Sequence, residues 1–554
     1  MGFTLLVVIF FTLAAAESLN NTTNDPIRDH NSLIKNMEYG LYMLKNMNKS
    51  VDPCDNFYEF ACGNFDDPNS PAKKNRYYDK ATDEMVQRLK SLLTNSRRSF
   101  KFEPFKFISD YYYSCENINN YHQYIDEDDT EFLNEIILKL GGWPVIQGDN
   151  WNETDFNWIK IVDEAMNIVQ IRISFYKLYL VQDDGGVKFL LGPPKKNLEG
   201  EKSNAYFDFM SDVAIFLGAD KDQAEELKLS FKFENDVQKI YNESKRIDGE
   251  NSEPVKMSVK EMIEKWTSTD WIKYLNSVIK PSFYFTNETI VHILYPSFIT
   301  NFEKMMNETP NRVLANYAIW TVIESVIPYI NSKTLWNYRK IYMKIEDSFY
   351  STSDSKFDCM ALVKTELGML LHAYYLREYP VDERTRSEVH AIYSNVQNKF
   401  IEILNSSKWL DSNAKTEIID KITSIKTVIG YPDELRNDNE LKNYFEGLEI
   451  TRDNFLKNYL NAKMFRGRKK IFSLFKNSSF VESRMDLFTY TYDLPNTAIY
   501  KRSRNLISVA VELLRNYFFD IDRFNYLNYG VIGETIGHEL SHTVDNERVI
   551  KRLG

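Results

Sequence analysis

The sequence predicts a mainly α fold, and three observations carry that expectation. Glycine is scarce, 20 of 554 residues, as suits helix interiors, where glycine costs most. Apolar residues recur at spacings of three and four over long stretches, the period of one buried helical face. Strand signals are few: VKFLL at 187–191 beside a Gly-Gly turn, and SVAVELL at 508–514. With 43% apolar residues, 36 Phe and 35 Tyr, the chain has ample material for a large core. The length suggests several units of about 150 residues, and no solenoid or propeller period repeats.

In chain order, FTLLVVIFFTLAAA (3–16) is an apolar run ending in small residues. It reads as a signal-peptide core with cleavage after Ala16, and is shorter than the ~20 residues a membrane span needs. Residues 1–16 are therefore expected to be a signal peptide, and the polar stretch 17–50, without a strong period, a tether. From residue 51 amphipathic helices begin. NRVLANYAIWTVIESVI (311–327) is apolar on most sides, as in a deep core helix. In 387–404, Val389, Ile392, Tyr393, Val396, Phe400 and Leu404 fall on one face. Asp411 is placed to cap a further helix, with Gly430 and Pro432 as its stop. Residues 436–492 form a more charged connecting segment, whose RGRKK (466–470) reads as a solvated face.

Export agrees with the sequons, of which Asn48, Asn152, Asn242, Asn287, Asn405 and Asn477 are the candidate N-glycosylation sites. The expected location is secreted and extracellular, with no membrane span after signal cleavage. A net charge of −11 opposes a general nucleic-acid binder, which needs a basic stripe. The four cysteines, Cys54, Cys62, Cys115 and Cys359, allow three pairings as two disulfides.

The chemistry lies in GVIGETIGHELSHTVDN (530–546), which contains H-E-x-x-H as His538, Glu539 and His542. On a helix, residues i and i+4 share a face, so both imidazoles can reach one Zn²⁺. Glu539 then stands where it can take a proton from a zinc-activated water. His30, His122, His292, His372 and His390 have no ligand spacing.

At these residues the chain resembles the neprilysin and endothelin-converting-enzyme family of zinc metalloendopeptidases. The resemblance extends to DPCDNFYEFACGNF (52–65), YYYSC (111–115), LANYAIW (314–320), WLDSNAKTEIIDKITSIKTVIGYPD (409–433) and the run 502–542. It implies a two-lobed gluzincin metallopeptidase. Residues 51–435 would form the large helical N-terminal domain and 493–554 the start of a thermolysin-like catalytic domain carrying a few strands. It implies one Zn²⁺ on His538 and His542, Glu539 as general base, and short peptides as substrates. It also implies a Cys115–Cys359 disulfide.

The sequence departs from the family pattern in three respects. It ends at Gly554, before the family's third zinc ligand and the partners implied for Cys54 and Cys62. An incomplete catalytic domain, loosely held zinc and little peptidase activity are expected, since catalytic zinc usually takes three protein ligands. At the substrate-binding edge strand the chain reads Thr497-Ala498-Ile499-Tyr500, with a hydroxyl where the family has an amide, while Ala498 could still offer its carbonyl. Glu534 and Thr535 replace apolar residues implied to line the pocket beyond the scissile bond, and a buried Glu534 would need a partner or a raised pKa. Two functions compete: a secreted zinc-dependent endopeptidase, or a shortened, inactive pseudo-peptidase that binds peptides or partners. The sequence assigns neither an oligomeric state nor a particular peptide.

Overall fold

The computed structural model describes residues 26–65, 77–94, 102–121, 130–194, 204–338, 358–475 and 497–545, apart from isolated positions within them. The expected signal peptide and Asn477 lie outside these residues. Among the principal helices and the seven strands, the chain runs α1 (Pro26–Asn46), α2 (Tyr77–Thr94), α3 (Pro104–Tyr121), β1 (Lys177–Asp183) and β2 (Gly186–Gly192). It continues through α4 (Leu227–Asp248), β3 (Val255–Ser258), β4 (Ile290–Ile293), α5 (Pro296–Glu308) and α6 (Asn311–Val326). Then come α7 (Cys359–Glu378), α8 (Glu383–Ser406), α9 (Ser412–Thr423), β5 (Lys426–Gly430), α10 (Phe455–Phe475), β6 (Ala498–Lys501), β7 (Leu506–Ala510) and α11 (Glu534–Ser541). The fold is mainly α, as the glycine content and periodicity require.

Two compact units share the chain. One comprises 1–102, 368–444 and 481–554; the other 103–367 and 445–480. The linear division drawn from the sequence, at 435/436 and 492/493, follows neither interleaved unit.

The second unit is helical around a small sheet of order β1-β2-β4-β3, in which β2 and β4 are parallel and the other pairs antiparallel. Its centre is α6, buried almost all round, as its sequence indicates. Burying a whole helix also buries its polar groups, so they need partners. Asn316 accepts from the Val145 N–H at 3.1 Å and donates to Glu226 at 2.7 Å. Trp320 stacks on Trp143 with centroids 6.2 Å apart. A disulfide joins Cys115 in α3 to Cys359 at the start of α7 across 244 residues, which is the pairing the resemblance implies.

The first unit carries the sheet β5-β7-β6, with β5 parallel and β6 antiparallel to β7. Helix α8 packs against it and against α11. Asp382 caps α8 by accepting from the Thr385 N–H at 2.6 Å. Asp411 caps α9 as the sequence predicts, by accepting from the Ala414 N–H at 2.9 Å. That helix stops at Thr423, however, and does not run to Gly430. The β-branched Thr427, Val428 and Ile429 pair with β7 instead, which favours the pleated state. Gly430 turns the chain at φ +76°, where a Cβ would press Leu514 at 3.1 Å.

The expected tether is also a correction: most of it is α1. Its inner side uses polar and aromatic groups in place of an aliphatic stripe. Asn36 accepts from the Phe524 N–H at 2.8 Å and donates to the Asp522 carbonyl at 3.4 Å. Tyr42 meets Tyr517, centroids 5.8 Å apart, and the Arg523 guanidinium lies 4.6 Å over Tyr39. These partners are hundreds of residues away, so no local period reveals them.

A buried polar knot joins α2 and α7 to the 3₁₀ turn after β7. Tyr375 donates its hydroxyl to Glu512 at 2.6 Å, and Arg88 approaches Glu512 at 3.3 Å. No helix among the described residues is long and apolar enough to cross a membrane.

Candidate metal centre

The H-E-x-x-H motif lies on a helix of the first unit, the setting its spacing calls for. A π-helical turn, Tyr529–Gly533, leads directly into α11, and His542 follows as its C-cap. The helix lies on α8 at Gly533 and Gly537: a Cβ there would make ordinary contact with Ile392 at 3.6 Å and Val396 at 3.8 Å. The helix end is anchored as well. Lys421 of α9 donates to the Thr543 carbonyl at 3.0 Å, and Val544 packs on the cluster of Leu404, Leu410, Ala414, Ile418 and Ile422. Packing on both sides fixes the backbone that carries the imidazoles.

His538 and His542 point the same way, their rings perpendicular with centroids 4.8 Å apart. Their Nε2 atoms are 3.2 Å apart. Two nitrogens held ~2.0–2.1 Å from a tetrahedral Zn²⁺ would be separated by ~3.3 Å, close to the spacing of this pair. Glu539 joins them within a cluster spanning 4.8 Å, and among the described residues no further His, Cys, Asp or Glu belongs to that cluster. His538 is exposed and His542 half-buried, while Glu539 is only 8% exposed.

The His542 Nδ1 atom lies 2.5 Å from Asp545, whose other oxygen is 2.6 Å from Arg502. A carboxylate on Nδ1 fixes the proton there and leaves the Nε2 lone pair for the metal. Asp545 escaped the sequence reading, although its position three residues after His542 on a helix end puts it within reach.

Glu539 is held from the sheet. Its carboxylate accepts the Tyr500 N–H at 2.5 Å. The Ala510 N–H donates to the Thr497 carbonyl, so alternation along an antiparallel pair turns the Ala498 and Tyr500 amides to the open edge of β6. That alternation explains why the Tyr500 N–H is available. Burial pushes the Glu539 carboxyl above its ordinary range, opposed by the Tyr500 N–H and by His538 and His542.

Ala498 is buried, and its carbonyl accepts the Thr497 hydroxyl at 3.1 Å. Thr535 is buried and donates its hydroxyl to the Val531 carbonyl of its own helix at 3.2 Å. Glu534 is exposed one turn before His538. Protein around its carboxyl still raises the pKa, with His538 lowering it and Glu539 raising it further.

Cys54 is exposed and Cys62 half-buried, both as free thiols, and burial pushes the Cys62 thiol up. Asn152, Asn242, Asn287 and Asn405 are exposed, whereas Asn48 is half-buried with its side-chain amide donating to Glu59 at 3.3 Å.

Comparisons with known proteins agree with this geometry. The pattern described as Peptidase family M13 matches residues 53–432 with its N-terminal part and 497–551 with its catalytic part. The chain is 25% identical over 545 residues to Neprilysin-2 of Drosophila melanogaster, covering 91% of this chain and 68% of that protein. It is 24% identical over 538 residues to Neprilysin-11 of Caenorhabditis elegans, covering 91% and 61%. The chain thus spans about two thirds of the length of the curated relatives it matches. Among solved structures, the Mycobacterium tuberculosis zinc metalloprotease Zmp1 in its open state aligns with a TM-score of 0.64 at 15% identity, over 90% of this chain and 75% of that one. PepO of Lactobacillus rhamnosis aligns at 0.55 and 14%, over 84% and 72%.

Proposed function

Because the chain belongs to peptidase family M13, a family of zinc metalloendopeptidases, we propose that its first unit hydrolyses peptide bonds at the His538–Glu539–His542 centre. The carrying observation is the 3.2 Å approach of two imidazole nitrogens beside a buried, oriented carboxylate. When bound, Zn²⁺ brings the pKa of a ligated water to about 7 and polarises a carbonyl oxygen. His538 and His542 would hold it through Nε2, with Asp545 setting the tautomer of His542. Glu539, kept proton-hungry by partial desolvation and aimed by the Tyr500 N–H, would take the proton of the attacking water at its free oxygen and pass it to the departing amine. The open edge of β6 would orient an extended substrate, since an edge strand recognises peptide backbone.

A second reading, peptide binding without hydrolysis, has its own observation. Among the described residues the cluster offers two imidazoles and Glu539, and a centre of two imidazole ligands, fewer than the three protein ligands usual for catalytic zinc, would hold the ion loosely. Extracellular location is part of the proposal and is supported by the exposed sequon asparagines and the long-range disulfide.

One experiment separates the readings. The chain is equilibrated with excess zinc and given an internally quenched peptide, alongside Glu539→Gln. Chelator-sensitive cleavage that the variant lacks, at unchanged zinc content, supports the peptidase. Saturable peptide binding with no cleavage at full zinc occupancy rejects hydrolysis and supports the second reading.

A further inference from the structure

Lys421, near the C-terminal end of α9, reaches both sides of the candidate metal centre. Its ammonium donates to the Thr543 carbonyl at 3.0 Å, one residue beyond His542, and lies 6.0 Å from the centre of the Tyr500 ring. A cation at this end also suits the dipole of the helix. The Lys421 carbonyl accepts the Asn505 side-chain amide at 2.8 Å, and Asn505 in turn accepts the Tyr500 hydroxyl at 2.8 Å. Tyr500 then gives its N–H to Glu539.

These contacts close a ring within the first unit. It runs from the end of α11 through Lys421 and Asn505 to β6, and returns to α11 through the Tyr500 N–H. Asn505 holds the corner of that ring. It takes a left-handed backbone, φ +45°, between β6 and β7, a conformation asparagine tolerates better than most residues. Its backbone carbonyl accepts the Lys426 N–H at 2.9 Å, and its side-chain amide also donates to Ser424 at 3.0 Å.

The ring acts on the position of Glu539. The two Nε2 atoms are 3.2 Å apart, but the cluster spans 4.8 Å once Glu539 is included. Two ligands of one tetrahedral Zn²⁺ are separated by ~3.3 Å, so the carboxylate stands outside ligand distance. Carboxylates are themselves zinc ligands, and one released beside an ion with open positions would bind it and cease to be a base. We propose that Lys421 and Asn505 are positioning residues, which act through Tyr500 to hold Glu539 off the metal as a proton acceptor. This rests on the metal-centre reading above and deepens it by assigning what keeps the base from becoming a third ligand.

The test uses the whole chain and needs no turnover. Zinc affinity is measured by competition with a chelating dye, and hydrogen exchange at the Tyr500 amide is followed in the zinc-free chain. Lys421→Met keeps the length of the side chain and removes its charge. It should speed that exchange by about tenfold, the worth of one hydrogen bond. It should also raise zinc affinity by about tenfold, the scale on which changes around a ligand act. Adding Glu539→Gln should cancel the gain in affinity, and Lys421→Arg should behave as the unaltered chain. Tyr500→Phe removes only the hydroxyl that Asn505 holds and should shift both readings the same way, which keeps the test decisive if Lys421→Met does not fold. Zinc affinity that stays level or falls in the variants overturns this inference and leaves the metal centre intact. So does unchanged exchange, or a gain in affinity that survives Glu539→Gln. Absence of zinc binding by the unaltered chain overturns the metal-centre reading itself, and the inference with it.

Discussion

The backbone N–H of Tyr500 lies 2.5 Å from the carboxylate of Glu539, across 39 residues of sequence. An edge strand thereby orients the carboxylate proposed as general base, which stands within the same cluster as His538 and His542. Glu539→Gln keeps an acceptor for that N–H, and Glu539→Ala removes it. Hydrogen exchange at the Tyr500 amide should stay slow in the Gln variant and speed up in the Ala variant. Equal exchange in both would mean the bond does not hold the strand. Zinc-dependent cleavage, where present, should fall by roughly 10²–10⁴ in either.

Asp545 contacts the Nδ1 atom of His542 and would act on a bound metal only through that ring. Asp545→Ala should weaken zinc binding by about 10–100-fold, measured by competition with a chelating dye, and Arg502→Ala by less. Unaltered zinc affinity in Asp545→Ala would assign Asp545 to the surface instead.

Asn36 holds α1 on the stretch before the zinc helix by two bonds. Asn36→Ala should cost about 1–2 kcal/mol, the range for two partly buried hydrogen bonds, read from the urea midpoint of the first unit's transition. No shift in that midpoint would return α1 to the role of a tether.

The Cys115–Cys359 bond closes a loop of 244 residues, and chain entropy alone gives it about 5 kcal/mol. Cys115→Ser with Cys359→Ser should lower the unfolding midpoint of the second unit well before that of the first. Alkylation after unfolding without reduction should label Cys54 and Cys62 only. Label on Cys115 would show the bond absent.

Burial pushes the Tyr393 hydroxyl up to about 12. The folded pKa is raised, so this group's contribution is complete below pH 10 and is lost as pH rises toward 12, while the unfolded chain ionises first. About 1 kcal/mol should disappear by pH 11. Tyr393→Phe should lose correspondingly less stability between pH 9 and 11 than the unaltered chain. Parallel losses would exclude Tyr393 as a source of alkaline sensitivity.

Much of the fold was readable where the physics is local. The buried stripes of α6 and α8 and the Asp411 cap depend on spacing and neighbouring groups, whereas the strand expected over 508–514 meets β7 only at 508–510 and gives way to a 3₁₀ turn at Val511–Leu514. The missed elements are those whose partners are distant. In α1, Asn36, Tyr39 and Tyr42 face residues 517–524. In β5, Thr427–Ile429 needed β7 to become a strand. The disulfide came from resemblance, since four cysteines by themselves leave three pairings.

The same division runs through the centre. The sequence by itself determined that His538 and His542 point the same way, because their i, i+4 spacing becomes a shared direction in any helix. It also carried Glu539 beside them, and Asp545 within reach. Only the tertiary structure decided that Glu539 is buried and bound to an edge strand, that Arg502 pairs with Asp545, and that Glu534 is exposed. Those outcomes depend on which faces the sheet and α8 cover, and burial is settled by packing between segments far apart in the chain.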